Sequence, residues 1–421
     1  MSTNVTGSGT AVTEPPPRRP GPSLSWLATT PRPRAIIAVF SITNVVLLLI
    51  PMGLFPYYRG TILLADVNLY SQWAAVLDAG HFPINDPMWQ YPPLSGVVFW
   101  LGAHLGQNPL VGFIVLALAV NVAIFILLYR RGVRGSADGT AGMRGAWVWA
   151  LGGLAVGPLL LTRFDIFPTL FAILALLALA RPVRSGIWLG VGALLKIWPA
   201  LLVLSLPRRA LAKGAAAMVA TGIAGLSAAF MYGQGSLSFL TEQRDRGLQI
   251  ESVGALPYLI GEVLGQNVPH IFRYGSLEID APGTATVGML VSALGLLGIA
   301  VVAYARLRGK LESVAGADVA LTLVLISIVS SRVFSPQYII WAVGVAAVCM
   351  LDPKSRMKPV AVVVLVVAVL GQLIYPLLYN SLVHGYFLGV VTQSLRIGLL
   401  ILATGWALGR IFRKPVANGR G

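Results

Sequence analysis

The chain has 421 residues, of which 56% are hydrophobic and 11% are charged. A soluble domain carries about 25% charged residues, and apolar runs of about 17–25 residues, each able to cross a membrane, recur along this chain. The composition therefore excludes a soluble globular protein and predicts an all-α polytopic membrane protein.

The net charge of +16 does not indicate nucleic-acid binding. Lys and Arg cluster at the ends of the apolar runs, as expected for cytoplasmic loops that face anionic lipid, and a soluble basic domain is missing. The single cysteine, Cys349, excludes a disulfide framework. The four histidines have no spacing typical of a metal site, so we expect neither a metal nor a cofactor.

The N-terminal third begins with a segment that cannot build a core. Residues 1–33 are rich in Pro, Ser, Thr and Arg and are expected to form a disordered cytoplasmic tail without a cleavable signal peptide. Residues 35–55 are predicted as the first span, with Arg32 and Arg34 at its inner end. The polar loop 56–92 is therefore expected outside the cytoplasm. Asp66 lies in this loop, just before a predicted amphipathic helix over 67–79, where it is either a helix cap or a functional acid.

The remaining apolar runs predict about 11–13 spans in a single transmembrane domain over 34–412, followed by a cytoplasmic tail over 413–421. Whether 94–106 crosses the membrane or only dips into it stays open. A second polar loop over 233–283 holds six of the 15 acids. The other predicted spans lie near 109–129, 146–161, 170–180, 186–198, 215–232, 284–305, 316–333, 336–351, 357–379 and 386–410.

Assigning the loops by charge places one group of polar residues at the outer face or in the outer half of the bilayer. Basic residues are unexpected there, so Arg163, Lys196 and Arg332 indicate a fixed anionic partner such as a lipid phosphate. The full group is Asp66, Tyr91, Arg163, Asp165, Lys196, Arg244, Arg246, Gln249, Glu251, Arg332, Gln337 and Tyr338.

Glycosyl transfer from a lipid-phosphate sugar needs this combination of residues. Cations stabilise the phosphate as it leaves, and a carboxylate takes the proton of the acceptor hydroxyl. Simpler interpretations remain for several residues: Arg163 and Asp165 as a structural ion pair, Lys196 as a side chain that snorkels to the interface, and the charges of the second loop as a solvated surface. The cations expected to bind the donor phosphate are Arg163, Lys196, Arg244, Arg246 and Arg332.

Five motifs between Asp66 and Tyr338 resemble glycosyltransferase family 87, one of the GT-C membrane glycosyltransferases, whose members include actinobacterial polyprenyl-phosphate-mannose-dependent α-mannosyltransferases. The motifs are DVNLYSQWAAVLDAGHFPINDPMWQYPPL, RFDIFPTL, GALLKIWPALL, RGLQIES and SPQY. The resemblance implies a GT-C fold, an active site on the extracytoplasmic side of the cytoplasmic membrane, and Asp66 as catalytic base. The expected substrate contacts are Tyr70, Tyr91, Asp165, Gln249, Glu251, Ser252, Gln337 and Tyr338.

The expected reaction is inverting transfer of a mannosyl group from a polyprenyl-phosphate donor to a hydroxyl of a glycolipid or lipoglycan, with phosphatidylinositol mannoside as one candidate acceptor. An arabinofuranosyltransferase of the same family remains an alternative. A secondary transporter or a non-catalytic lipid-handling protein is the second alternative. The excess of Arg over Lys is typical of a GC-rich actinobacterial genome.

Overall fold

The structure is a computed structural model that describes residues 33–55, 61–134, 143–242 and 246–413. Nearly all of both predicted tails, and the candidate phosphate ligand Arg244, lie outside these ranges. The α-helices are α1 (Pro33–Leu49), α2 (Thr61–Asp78), α3 (Leu94–His104), α4 (Pro109–Arg134), α5 (Arg144–Val156), α6 (Leu159–Thr162), α7 (Ile166–Leu177), α8 (Pro182–Leu195), α9 (Arg208–Tyr232), α10 (Phe239–Glu242), α11 (Leu256–Val263), α12 (Thr284–Leu307), α13 (Gly316–Val329), α14 (Ile339–Cys349), α15 (Lys358–Gln372), α16 (Tyr379–Val383) and α17 (Phe387–Phe412).

These helices confirm the all-α polytopic membrane class. Within the described ranges, five helical stretches are long and apolar enough to cross a membrane, namely α4, α9, α12, the stretch Lys358–Val383 and α17. Shorter apolar helices, α3 among them, accompany these five, so the total of 11–13 crossings stays a prediction. Large apolar side chains on α9 and α12, such as Phe230 and Leu294, are exposed, as expected for helices that face lipid.

The second polar segment contains a small sheet that the sequence analysis did not predict. Strands β1 (Leu248–Gln249), β2 (His270–Arg273) and β3 (Ser276–Ile279) pair antiparallel in the order β1-β3-β2. Glu278 of β3 lies opposite Gln249 on one side and Ile271 on the other. A two-residue turn at Tyr274 and Gly275, both with positive φ, closes the β2–β3 hairpin.

Asp66 lies inside a helix and not in front of one. Helix α2 begins at Thr61, whereas the sequence predicted a helix only from residue 67, so Asp66 occupies the second turn and the helix-cap interpretation is wrong. The reason is local, because Ile62, Leu63, Leu64 and Ala65 favour helix and include no residue that would stop it. The helical position directs the Asp66 side chain to a fixed face of α2.

Several helices are broken where the sequence contains Pro, Gly or a buried charge. Helix α5 ends at Gly157, which has a φ of 70°. Arg163 and Lys196 both have extended backbone, the first between α6 and α7 and the second between α8 and a 3-10 helix over Trp198–Ser205. A second 3-10 helix covers Pro336–Tyr338, and a π-helical segment with non-helical Tyr375 covers Leu373–Leu378. Apart from the break at Gly157, these breaks all contribute residues to one cavity.

Candidate active site

A cavity of about 450 Å³ lies where α2, the helix breaks and the small sheet come together. Most of the predicted site residues line it, although they come from segments far apart in the chain. The predicted residues on its wall are Asp66, Tyr70, Tyr91, Arg163, Lys196, Arg246, Gln249, Glu251, Gln337 and Tyr338. The fold therefore brings together in one cavity residues that are far apart in the sequence.

Asp66 faces the cavity beside a buried arginine. Its Oδ2 lies 3.1 Å from Arg163 Nε, and the side chain of Asp66 is 35% exposed whereas that of Arg163 is 4% exposed. Arg163 is held by the Leu63 carbonyl oxygen at 2.8 Å and by the Tyr375 hydroxyl at 3.1 Å. An accessible carboxylate thus stands next to a cation whose position is set by α2 and by the π-helical segment.

Lys196 forms the second ion pair of the cavity. Its Nζ lies 2.7 Å from Asp165 Oδ1, which also accepts a hydrogen bond of 2.7 Å from Trp341 Nε1. The ammonium group stands over the rings of Tyr338 and Trp341, at 4.5 Å and 4.9 Å from their centroids. The suggested pairing of Arg163 with Asp165 is wrong, because Asp165 is buried against Lys196 and Arg163 pairs with Asp66. Asp165 is not on the cavity wall and acts on the cavity through Lys196.

Arg246 fastens the hairpin to the cavity wall. It donates to Gln90 Oε1 at 2.7 Å and to Ser276 Oγ at 2.8 Å, and its Nε lies 3.8 Å from Glu278 Oε1. Burial raises the pKa of Glu278, and Arg246 opposes this shift. Arg332 is not on the wall of the cavity and donates to the Arg246 carbonyl oxygen at 3.1 Å. These arginines therefore hold the loop structure at this end of the cavity.

Glu251 forms a buried ion pair with a residue that the sequence analysis did not select. Arg396 Nη1 in α17 lies 2.8 Å from Glu251 Oε2, and both side chains are almost completely buried. Burial raises the pKa of Glu251, and Arg396 opposes that shift. Gln393, one turn before Arg396, donates to the Glu251 carbonyl oxygen at 2.7 Å. The second polar segment is thus bound to the last apolar helix at the cavity.

The remaining predicted residues have mainly structural contacts. Gln249 Oε1 accepts a hydrogen bond from the Phe334 backbone at 2.6 Å, which joins β1 to the segment that carries Gln337 and Tyr338. Ser252 is buried, does not line the cavity, and donates its backbone N–H to Gln249. Tyr70 lines the cavity with its ring stacked on Phe99 at 4.4 Å.

The fold adds residues to the site that the sequence analysis missed. Arg396 had a recognisable signal, because a charge within an apolar span is as anomalous as Lys196. The others carry no comparable signal, since tyrosines and tryptophans in apolar runs usually pack in the core or at the interface. The additional residues at the site are Gln90, Tyr274, Ser276, Trp341, Tyr375, Tyr379 and Arg396.

The arrangement suits a reaction in which a hydroxyl loses a proton while an anion departs. Asp66 is the accessible carboxylate, and Arg163 and Lys196 are cations on the same cavity wall. Throughout the described ranges, no group of three or more His, Cys, Asp or Glu side chains is arranged to hold a metal ion.

The sequence model of glycosyltransferase family 87 matches residues 89–336, which is more than half of the chain. No curated protein and no solved structure matches the chain. Asp66 precedes the matched range and Arg396 follows it, so both ends of the cavity's charged network lie outside the part that the family model covers.

Proposed function

The chain belongs to glycosyltransferase family 87 and is a membrane glycosyltransferase, and we propose that it transfers a mannosyl group from a polyprenyl-phosphate donor to a hydroxyl of a glycolipid or lipoglycan. The reaction inverts the anomeric centre and takes place at the extracytoplasmic face of the cytoplasmic membrane. A phosphatidylinositol mannoside is a candidate acceptor. The proposal also includes a single GT-C transmembrane domain.

The observation that carries this proposal is the exposed Asp66 carboxylate, 3.1 Å from the buried Arg163 in a cavity that also contains Lys196. In the proposed step, the acceptor hydroxyl gives its proton to Asp66 as its oxygen bonds to the anomeric carbon. The bond from that carbon to the phosphate oxygen breaks at the same time, and its electron pair leaves on the phosphate. Attack from the side opposite the phosphate inverts the centre.

Two of the cavity cations, Arg163 and Lys196, would stabilise the departing phosphate. Phosphate already exists as an anion at neutral pH, so its departure needs positive charge and no acid. Arg163 offers forked hydrogen bonding and Lys196 a compact point charge. Arg163 also contacts Asp66, so one guanidinium would join the departing phosphate to the base.

A polyprenyl-phosphate-dependent arabinofuranosyltransferase is the second candidate, because its donor presents the same phosphate and its acceptor the same hydroxyl. A transporter is disfavoured by the family to which the chain belongs. The two sugars are distinguished by assay with each donor.

The test is sugar transfer by purified wild type and by Asp66→Asn, with polyprenyl-phosphate mannose and a lipid extract that contains inositol mannolipids. Asn keeps the shape of Asp66 and removes the base, so we expect a loss of about 100- to 10,000-fold in kcat. Asp78→Asn is the matched control, because Asp78 lies on the same helix, is exposed, and pairs with His104 away from the cavity. Its activity should stay near that of wild type.

Three results would change the proposal. Full activity of Asp66→Asn would remove Asp66 from the mechanism. If wild type were active with a polyprenyl-phosphate pentose and inactive with polyprenyl-phosphate mannose, the proposed reaction would stand but the transferred sugar would be a pentose. Equal losses in Asp66→Asn and Asp78→Asn would point to a folding defect of α2.

A further inference from the structure

Arg396 is a fully buried cation in the interior of an apolar helix. A charge at such a position is costly unless it has a partner, and replacing a buried ion pair by apolar residues is often neutral or stabilising. Its Nη1 donates to Glu251 Oε2 at 2.8 Å and to Gln393 Oε1 at 3.3 Å, and the guanidinium carbon lies 4.1 Å from the centroid of the Phe334 ring. Stability alone therefore does not explain why this helix contains an arginine.

Helix α17 holds Glu251 by two separate contacts. Arg396 binds the carboxylate, and Gln393 donates to the backbone carbonyl oxygen of the same residue at 2.7 Å. Residues three apart lie on one face of a helix, so a single rigid element fixes both the side chain and the main chain of Glu251. Glu251 lines the cavity, and the contact with Arg396 engages only its Oε2.

Glu251 lies near the end of the cavity where the donor phosphate is proposed to bind. Tyr375 and Tyr379 line the same cavity within electrostatic reach of Glu251. The Tyr375 hydroxyl accepts a hydrogen bond of 3.1 Å from Arg163, the proposed phosphate ligand. In a lipid-phosphate donor the sugar is bonded directly to the phosphate, so a donor sugar would lie close to this wall.

We propose that Glu251 accepts a hydrogen bond from a hydroxyl of the donor sugar, and that Arg396 is the positioning residue that holds this carboxylate in its orientation. The inference rests on the proposed function, because it assigns the sugar-recognising part of the same site. An ionised carboxylate only accepts hydrogen bonds, and sugar hydroxyls donate them. Oε1 is the oxygen that the hydroxyl would reach, since Arg396 binds Oε2. A charge-assisted hydrogen bond of this kind is stronger than a neutral one.

The test compares the equilibrium binding of two ligands, polyprenyl-phosphate mannose and polyprenyl phosphate without a sugar, to the purified full chain. Glu251→Gln and Arg396→Gln should each weaken binding of the mannose-bearing ligand by about 10- to 100-fold. Neither should change binding of polyprenyl phosphate. The double variant should be no weaker than the worse single variant, because Arg396 acts through Glu251.

Arg306→Gln is the matched control for loss of a buried arginine. Arg306 is almost fully buried in α12, where it donates to the Leu204 and Leu311 carbonyl oxygens away from the cavity. Its substitution should leave the ratio of the two affinities unchanged. Arg396→Lys keeps the positive charge and should restore part of the preference for the mannose-bearing ligand. If Arg396→Gln does not fold, Arg396→Lys and Glu251→Gln together test the inference.

If Arg396→Gln weakened the binding of both ligands equally, Arg396 would have a purely structural role and the inference would be overturned. An effect of Glu251→Gln on the acceptor KM alone would also overturn it, because the carboxylate would then recognise the acceptor. A failed proposed function gives a different result: transfer would not depend on Asp66, while the sugar-selective loss in Glu251→Gln would remain. If transfer depends on Asp66 but Glu251→Gln binds both ligands like wild type, only this inference fails.

Discussion

The charged residues of the site occur as pairs of opposite sign. Each pair joins segments that are distant in sequence, so the pairs also connect the breaks around the cavity. The oppositely charged partner lowers the free-energy cost of removing each charge from water. It also confines the electric field of each cation to its surroundings until an anionic ligand enters the cavity. The pairs are Asp66–Arg163, Asp165–Lys196, Glu278–Arg246 and Glu251–Arg396.

At the residue scale, Lys196→Met should lower kcat/KM for the donor by about 100-fold and weaken inhibition by free polyprenyl phosphate, because one of the two proposed phosphate-stabilising cations is removed. Steady-state transfer kinetics measure the first effect and inhibition constants the second. Lys354→Met, at an exposed lysine between α14 and α15, is the control and should resemble wild type.

The same substitution also leaves Asp165 buried without its cation. Lys196→Met combined with Asp165→Asn separates the two consequences. If phosphate binding by Lys196 matters, the double variant regains thermal stability but not activity. Recovery of activity in the double variant would mean that Lys196 only neutralises Asp165.

At the element scale, the breaks in the helices position the charged residues of the site, and closely packed helices hold these breaks in place. Helices α8 and α9 approach so closely that a Cβ at Gly186 would overlap the Gly214 carbonyl oxygen, and one at Gly190 would crowd Thr221. Small residues allow such contacts between membrane helices. Lys196 follows directly after α8, so this packing determines where the lysine stands relative to the cavity.

Gly186→Ala should therefore destabilise the protein by about 1–3 kcal/mol, through overpacking of α8 against α9. Thermal unfolding in detergent would show a lower midpoint temperature. Gly222→Ala is the matched control on α9, because a Cβ there meets no atom within 4 Å, and it should be neutral or slightly stabilising. Equal midpoints for the two variants would contradict the close contact of α8 and α9.

For the whole molecule, the distribution of charge predicts the orientation in the membrane. Lys and Arg cluster at the ends of apolar runs, as at the ends of α4 and α17, whereas Asp66 and Glu251 line the cavity. The positive-inside rule then predicts that the cavity opens outside the cytoplasm.

Single introduced cysteines test this orientation. Ile84→Cys, at an exposed position in the polar segment after α2, should react with a membrane-impermeant maleimide on intact cells, whereas Lys354→Cys should react only after the membrane is opened. The native Cys349 is buried and provides an inert background. If Lys354→Cys reacted with the maleimide on intact cells, the orientation of the protein in the membrane would be the opposite of the proposed one.

The sequence by itself determined the class of the protein, and most of the site residues that it indicated do line the cavity. Long apolar runs must form helices in lipid, because lipid offers no hydrogen-bond partners for the backbone N–H and C=O groups. The composition alone therefore predicted a helical membrane protein. Charges at unexpected positions were readable for the same reason, and Asp66, Arg163 and Lys196 do meet in one cavity.

Only the tertiary structure decided which charge pairs with which, because Arg163 and Asp165 are two residues apart in sequence but pair with Asp66 and Lys196, respectively. It also decided that the β2–β3 hairpin lies over the cavity and that α17 supplies Arg396. These features depend on contacts between segments that are distant in the chain, and Glu251 and Arg396 are 145 residues apart. No local pattern encodes such contacts, since they arise from packing of the whole chain.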